Sequence, residues 1–121
     1  MIIFSVERFD RSNIDNSSAT LEASKILAKS GGYNIMTGVY KGHEERAFIT
    51  EQVELGRQLA REYGQESYLE QGHYGYWYLI DTMSGDILEI FKTIKNVSKE
   101  VAENTDNYNV LNGAYYIAVE Y

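Results

Sequence analysis

Gly75-Tyr76-Trp77-Tyr78-Leu79-Ile80, turned back through Met83-Ser84-Gly85-Asp86 into Ile87-Leu88-Glu89-Ile90-Phe91-Lys92-Thr93-Ile94, is a strand–turn–strand pattern around which the rest of the chain is organised. Its first arm is aromatic and apolar on both faces, the composition of a strand with a neighbour on either side. The second arm alternates Ile87, Glu89, Phe91 and Thr93 with Leu88, Ile90, Lys92 and Ile94, so the pair is expected to form a β-hairpin. The period of two places Tyr74, Tyr76 and Tyr78 on one face of the first arm, expected to be exposed. Trp77 and Leu79 fall on the other, expected to be buried.

Working outward, Asn96 to Asn107 is polar and acidic, with Val97, Val101 and Ala102 as its apolar points; a short surface helix or an irregular excursion is expected. Asn112-Gly113 is a type I′ turn signal, and Tyr115, Ile117, Val119 and Tyr121 then alternate with Ala114, Tyr116, Ala118 and Glu120 as a last strand. On the other side, Met1 to Val6 reads as a buried strand. Asn16-Ser17-Ser18 offers caps for a helix over 18–30, with Ala19, Ala23, Ile26 and Leu27 on one stripe and Gly31-Gly32 as a left-handed stop. A strand over 33–40 turns at 41–44 into a partner over 46–50. Thr50 caps a second helix over 51–63, carrying Val53, Gly56, Leu59, Ala60 and Tyr63 on one stripe and ending at Gly64. The order implies one α+β domain over 1–121, with two helices packed on a mostly antiparallel sheet whose strand order stays open.

Composition narrows the function. The chain has no cysteine, which removes disulfides, thiolate metal sites and cysteine nucleophiles and points to a reducing cytoplasm. No run approaches the roughly 20 apolar residues of a membrane helix, and Met1-Ile2-Ile3-Phe4 lacks a basic leader, so no membrane association is expected. The net charge is −7, and residues 66–121 hold three Lys/Arg against nine Asp/Glu. Direct nucleic-acid binding is therefore not expected, and a protein with a basic surface is the better partner.

No catalytic motif is present. His43 and His73 lack the i, i+4 partner of a metal-binding helix, the acid pairs Glu44/Glu45 and Glu51/Glu54 suit turns and helix starts, and neither metal nor cofactor is expected. An enzyme would need residues that only folding could gather. What rises above background is tyrosine, eleven in all, dense at Tyr74, Tyr76 and Tyr78 beside Trp77. Tyr74, Tyr76, Tyr78, Asp81, Asp86 and Glu89 are accordingly the candidate partner-binding residues, and the tyrosine content suggests a homo-oligomer. The alternative is a pocket for a small nucleotide built from Arg57 and Arg61, one helical turn apart, with Tyr76, Trp77 and Tyr78; Arg8, Arg11 and Arg46 are further candidates to join it.

The phrases Gly38-Val39-Tyr40-Lys41-Gly42-His43-Glu44-Glu45-Arg46-Ala47-Phe48-Ile49 and Leu59-Ala60-Arg61-Glu62-Tyr63-Gly64-Gln65-Glu66-Ser67 resemble those of small uncharacterised bacteriophage and prophage proteins, over residues 1–70. Where those proteins commonly carry an acid and a serine before the phenylalanine, this chain has Glu45-Arg46-Ala47-Phe48, and its tyrosine-rich half lies outside the shared pattern. The resemblance implies a viral accessory role and no catalytic residue. The expected function is that of a non-enzymatic binding protein that inhibits a host defence or nucleic-acid-handling protein by non-covalent occlusion.

Overall fold

A computed structural model describes residues 1–120; Tyr121, the end of the last alternation, lies outside the described residues. Eight strands form a closed barrel: β1 (Ile2–Ser5), β2 (Asn34–Tyr40), β3 (His43–Thr50), β4 (Ser67–Gln71), β5 (Trp77–Asp81), β6 (Ile87–Val97), β7 (Asn107–Leu111) and β8 (Ala114–Glu120). They run in the order β1-β3-β2-β7-β8-β6-β5-β4, every described pair antiparallel. Helices α1 (Asn13–Ser30), α2 (Val53–Glu62) and α3 (Lys99–Glu103) complete the chain. The α+β architecture is as the sequence implies, with the sheet closed on itself. Closure rests on β1, which no hairpin ties to a neighbour: Ile3 faces Ile49 of β3 on one side and Leu69 of β4 on the other. Because β1 is apolar on both faces, burial favours a position with strands on both edges, and no open edge is left there.

Two apolar clusters divide the core. Ile2 and Phe4 of β1 point outward with Phe48, Tyr68 and Ile80 against Ala19, Ala23 and Leu27 of α1 and Leu59 and Ala60 of α2. Ile3, Met36, Ala47 and Trp77 point inward, joined by Leu69, Phe91, Ile94 and Leu111. The helices therefore cover the barrel wall around β1, while β6 is largely exposed along its length.

Several boundaries differ from the sequence reading. Helix α1 starts at Asn13 because Ser12 caps it, its Oγ accepting from the Asp15 amide at 3.1 Å. Asn16, expected to cap, instead pins the preceding loop: its Oδ1 accepts from the Arg8 amide and its Nδ2 donates to the Arg8 carbonyl. Gly31 is extended, with φ 171°, and is no left-handed stop; the Gln52 side chain closes that helix end by donating to the Leu27 and Gly32 carbonyls. Thr50 is not the side-chain cap of α2 itself: α2 begins at Val53, and Thr50 Oγ1 accepts from the Gln52 amide while donating to Gly32. Strand β6 runs on to Val97, so the polar segment after it holds only the short α3, capped by Ser98, before β7. Tyr74 lies in a 3₁₀ turn over 73–75 at φ 62°, outside β5, so the three tyrosines do not share one strand face. Asn112 and Gly113, at φ 51° and 78°, form the β7–β8 turn as expected.

Candidate functional site

The β5–β6 hairpin carries the largest concentration of uncovered apolar side chains. Met83 is 78%, Leu88 57% and Ile87 54% exposed, and Ile90 lies further along the same strand, also exposed. A run of this kind on a single hairpin exceeds the scattered apolar exposure of ordinary surfaces. At its base lies an open cleft of about 620 Å³ lined by Glu66, Ser67, Leu79, Asp81, Met83 and Leu88, with Gly64 and Gln65 at its side.

Acids dominate the charge around the cleft. Residues 62–91 contain six acids and no Lys or Arg. Glu70 is engaged by Arg57, but Asp86 and Glu89 stand on the hairpin and Glu66 and Asp81 on the cleft wall. Asp81 also builds the turn: its carboxylate accepts from the Ser84 amide and hydroxyl, both at 2.8 Å, and these bonds hold its pKa below the usual carboxylate range. Of the arginines, Arg8 reaches this end by donating to the Gly64 carbonyl, yet its charge is paired with Asp10. Arg11 donates to the carbonyls of Val6 and Tyr63, the latter at the C-terminus of α2, where a cation complements the helix dipole.

Of the candidate partner-binding residues, Asp81, Asp86 and Glu89 are thus together at the hairpin. Of the tyrosines only Tyr78 belongs to the hairpin, opposite Ile90. Tyr74 is 97% exposed in its turn, and Tyr76 follows it in an extended segment. Tyr78 is half-buried against the helix-covered cluster, its ring so close over Gly72 that a Cβ there would meet it at 2.1 Å. The face assignment within β5 holds for Trp77, 6% exposed inside the barrel, and Leu79 is half-buried.

The alternative nucleotide residues do not converge on one face. Trp77 is inside the wall and Tyr78 outside it. The Arg57 guanidinium is gripped by Glu70, its Nε donating to Oε1 and Nη2 to Oε2, both at 2.8 Å, and also pairs with Glu54. Arg61 lies exposed on the same helix. Arg46 is drawn to Glu7 and Ser17. Among the described residues no group of three metal-ligating side chains is assembled, and no helix is long and apolar enough to cross a membrane. His43 packs beside the Phe9 ring, centroids 6.0 Å apart.

Sequence reasoning named the acids of the hairpin but passed over Met83 and Leu88, whose exposure became visible only once no helix covered β6. The one available signal was the thirty-residue absence of basic side chains. Compared with known proteins, the chain matches no family model and no curated protein.

Proposed function

We propose that this chain is a non-enzymatic binding protein whose β5–β6 hairpin occludes a basic, partly apolar surface on another protein. The observation that carries the reading is the coincidence of an exposed apolar hairpin with a surround rich in acids, Glu66, Asp81, Asp86 and Glu89. Apolar contact supplies the affinity at the centre of such an interface, while charge of one sign accelerates encounter with a partner of the other. The phage accessory role implied by the resemblance over residues 1–70 fits this reading, with a host defence or nucleic-acid-handling protein as the target class.

A photo-crosslinking residue at Leu88 tests it, in lysate and then with the captured partner purified. One recurrent partner is expected, with association slowing as salt rises. Met83→Ser together with Leu88→Ser should weaken the purified complex at least tenfold without lowering the unfolding midpoint. Capture of many unrelated proteins, or an affinity indifferent to both serines, rejects the reading. Native mass spectrometry of the unbound protein reads the self-association that the tyrosine content suggests.

A further inference from the structure

A second feature, independent of the hairpin, lies on the inner wall of the barrel. Gly38 of β2 pairs with Glu45 on β3 and with Asn109 on β7, Asn109 pairs with Tyr116 on β8, and Tyr116 pairs with Asn96 on β6. Met36, Ala47, Leu111 and Ile94, two residues along their strands from this row, belong to the interior cluster, so the row shares their face. The interior is therefore apolar on one level and polar on the next, where β2 contributes no side chain at all.

That missing side chain is used. A Cβ on Gly38 would come within 2.9 Å of Cε2 of Tyr40 and 3.2 Å of Oδ1 of Asn109. The Tyr40 ring and the Asn109 side-chain oxygen both close on the space that the bare α-carbon leaves. Asn109 Oδ1 is buried with no hydrogen-bond partner among the described residues, an arrangement that is costly inside a protein. The Glu45 carboxyl, half-buried, also has no hydrogen-bonding or ionic partner among the described residues. Its near neighbour in charge, Glu7, is already committed to Arg46 and Thr20. Burial and the Glu7 charge push the Glu45 pKa up to about 7, and burial raises that of Tyr40, with Glu45 adding to it. A buried acceptor without a donor, Asn109 Oδ1, and an unpaired carboxyl thus lie close to Tyr40, with Tyr116 in register beside Asn109.

We propose that Tyr40, Glu45, Asn109 and Tyr116 form a binding site for a planar N–C–N group that presents two N–H donors in its plane. Ionised Glu45 accepts one or both of these, Asn109 Oδ1 accepts another donor of the ligand, and the phenol rings supply a stacking surface. Two chemical sources carry such an edge: the guanidinium of an arginine-like ligand, and the N1–H and exocyclic amine edge of guanine. The groups that titrate around the site are Glu45, Tyr40, Tyr116 and Glu7, with His43 one register step away opposite Tyr40; Lys41 follows Tyr40 in the exposed turn. Binding is expected to strengthen as pH rises from about 5 to 7, because the ligand needs Glu45 ionised and the free site keeps it protonated.

Nuclear magnetic resonance titration of the intact protein with agmatine and, separately, with guanosine decides the matter. Specific shifts of the Gly38, Glu45 and Asn109 amides by either probe, below about 10 mM, support the site and identify its source. Glu45→Gln and Asn109→Leu should each weaken that binding at least tenfold, and Glu45→Gln should also abolish its pH dependence. Glu45→Gln is the informative variant if Asn109→Leu proves unstable. No shift with either probe, or binding that both substitutions leave unchanged, overturns the proposal.

Discussion

Arg57 of α2 and Glu70 of β4 form a two-pronged ion pair that fastens the helix to the barrel wall, each carboxylate oxygen taking one guanidinium N–H at 2.8 Å. The same arginine also meets Glu54 on its own helix. Such a fork leaves the guanidinium no free face for an anionic ligand, and its partial exposure keeps the pair's contribution small. Arg57→Ala should cost about 1 kcal/mol, and Arg57→Lys should recover little of it, since an ammonium cannot reproduce the planar fork. The midpoint of a urea titration, at unchanged slope, measures both.

A second ion pair is deeper. Buried Glu7 accepts from the Thr20 hydroxyl at 2.5 Å, the Arg46 amide at 2.9 Å and Arg46 Nε at 2.6 Å, linking α1, β3 and the chain after β1. Arg46→Ala strands a buried carboxylate and should destabilise by about 2–3 kcal/mol. Adding Glu7→Gln keeps an acceptor for Thr20 and removes the charge, so the double variant should be more stable than Arg46→Ala alone; equal stability would show the charge to be immaterial.

Glu45 makes stability depend on pH. Its folded pKa, about 7, lies above the ordinary 4.5, so the folded state holds the proton more tightly than the unfolded one. The contribution is fully present below pH 4.5 and lost as pH rises through 7. Glu45→Gln should therefore gain about 1–3 kcal/mol relative to the parent at pH 8 and little at pH 4, read by chemical denaturation at each pH.

Gly56 sets two effects against each other. Alanine is the better helix former by about 1 kcal/mol, but a Cβ there would lie 2.8 Å from Cγ2 of Ile2 and 3.1 Å from Cε1 of Phe4. Ile2 and Phe4 are wholly buried beneath α2 and have no room to yield. Gly56→Ala should lower stability by about 1–3 kcal/mol despite its propensity gain, measurable as a lower thermal midpoint.

Trp77, the one tryptophan, reports on the barrel interior. Its emission should be blue-shifted when folded and move red on unfolding, and Trp77→Ala should cost about 3–5 kcal/mol. Tyr74→Ser, on a side chain 97% exposed, should leave the stability within about 0.5 kcal/mol.

The periodic elements were legible in the residues alone. Ala19, Ala23 and Leu27 mark the buried stripe of α1, Asn112-Gly113 the last turn, and the aromatic-apolar run around Trp77 a strand with neighbours on both sides. Each of these is a local preference, set by backbone geometry and the spacing of apolar side chains, and so needs no distant contact to be read. The acids of the hairpin were legible from charge counting, since they lie in a half of the chain with nine Asp/Glu against three Lys/Arg. Closure of the barrel was not: it depends on Ile3 meeting both Ile49 and Leu69, residues far apart in the chain, and pairing between distant strands leaves no periodic mark. Nor could spacing tell that Glu70 would take Arg57, that Tyr74 would leave the strand, or that Gly38 would bring Tyr40 and Asn109 together before Glu45. Those juxtapositions are decided by strand register around a closed barrel, which places residues from five strands on one level only after the whole wall is built.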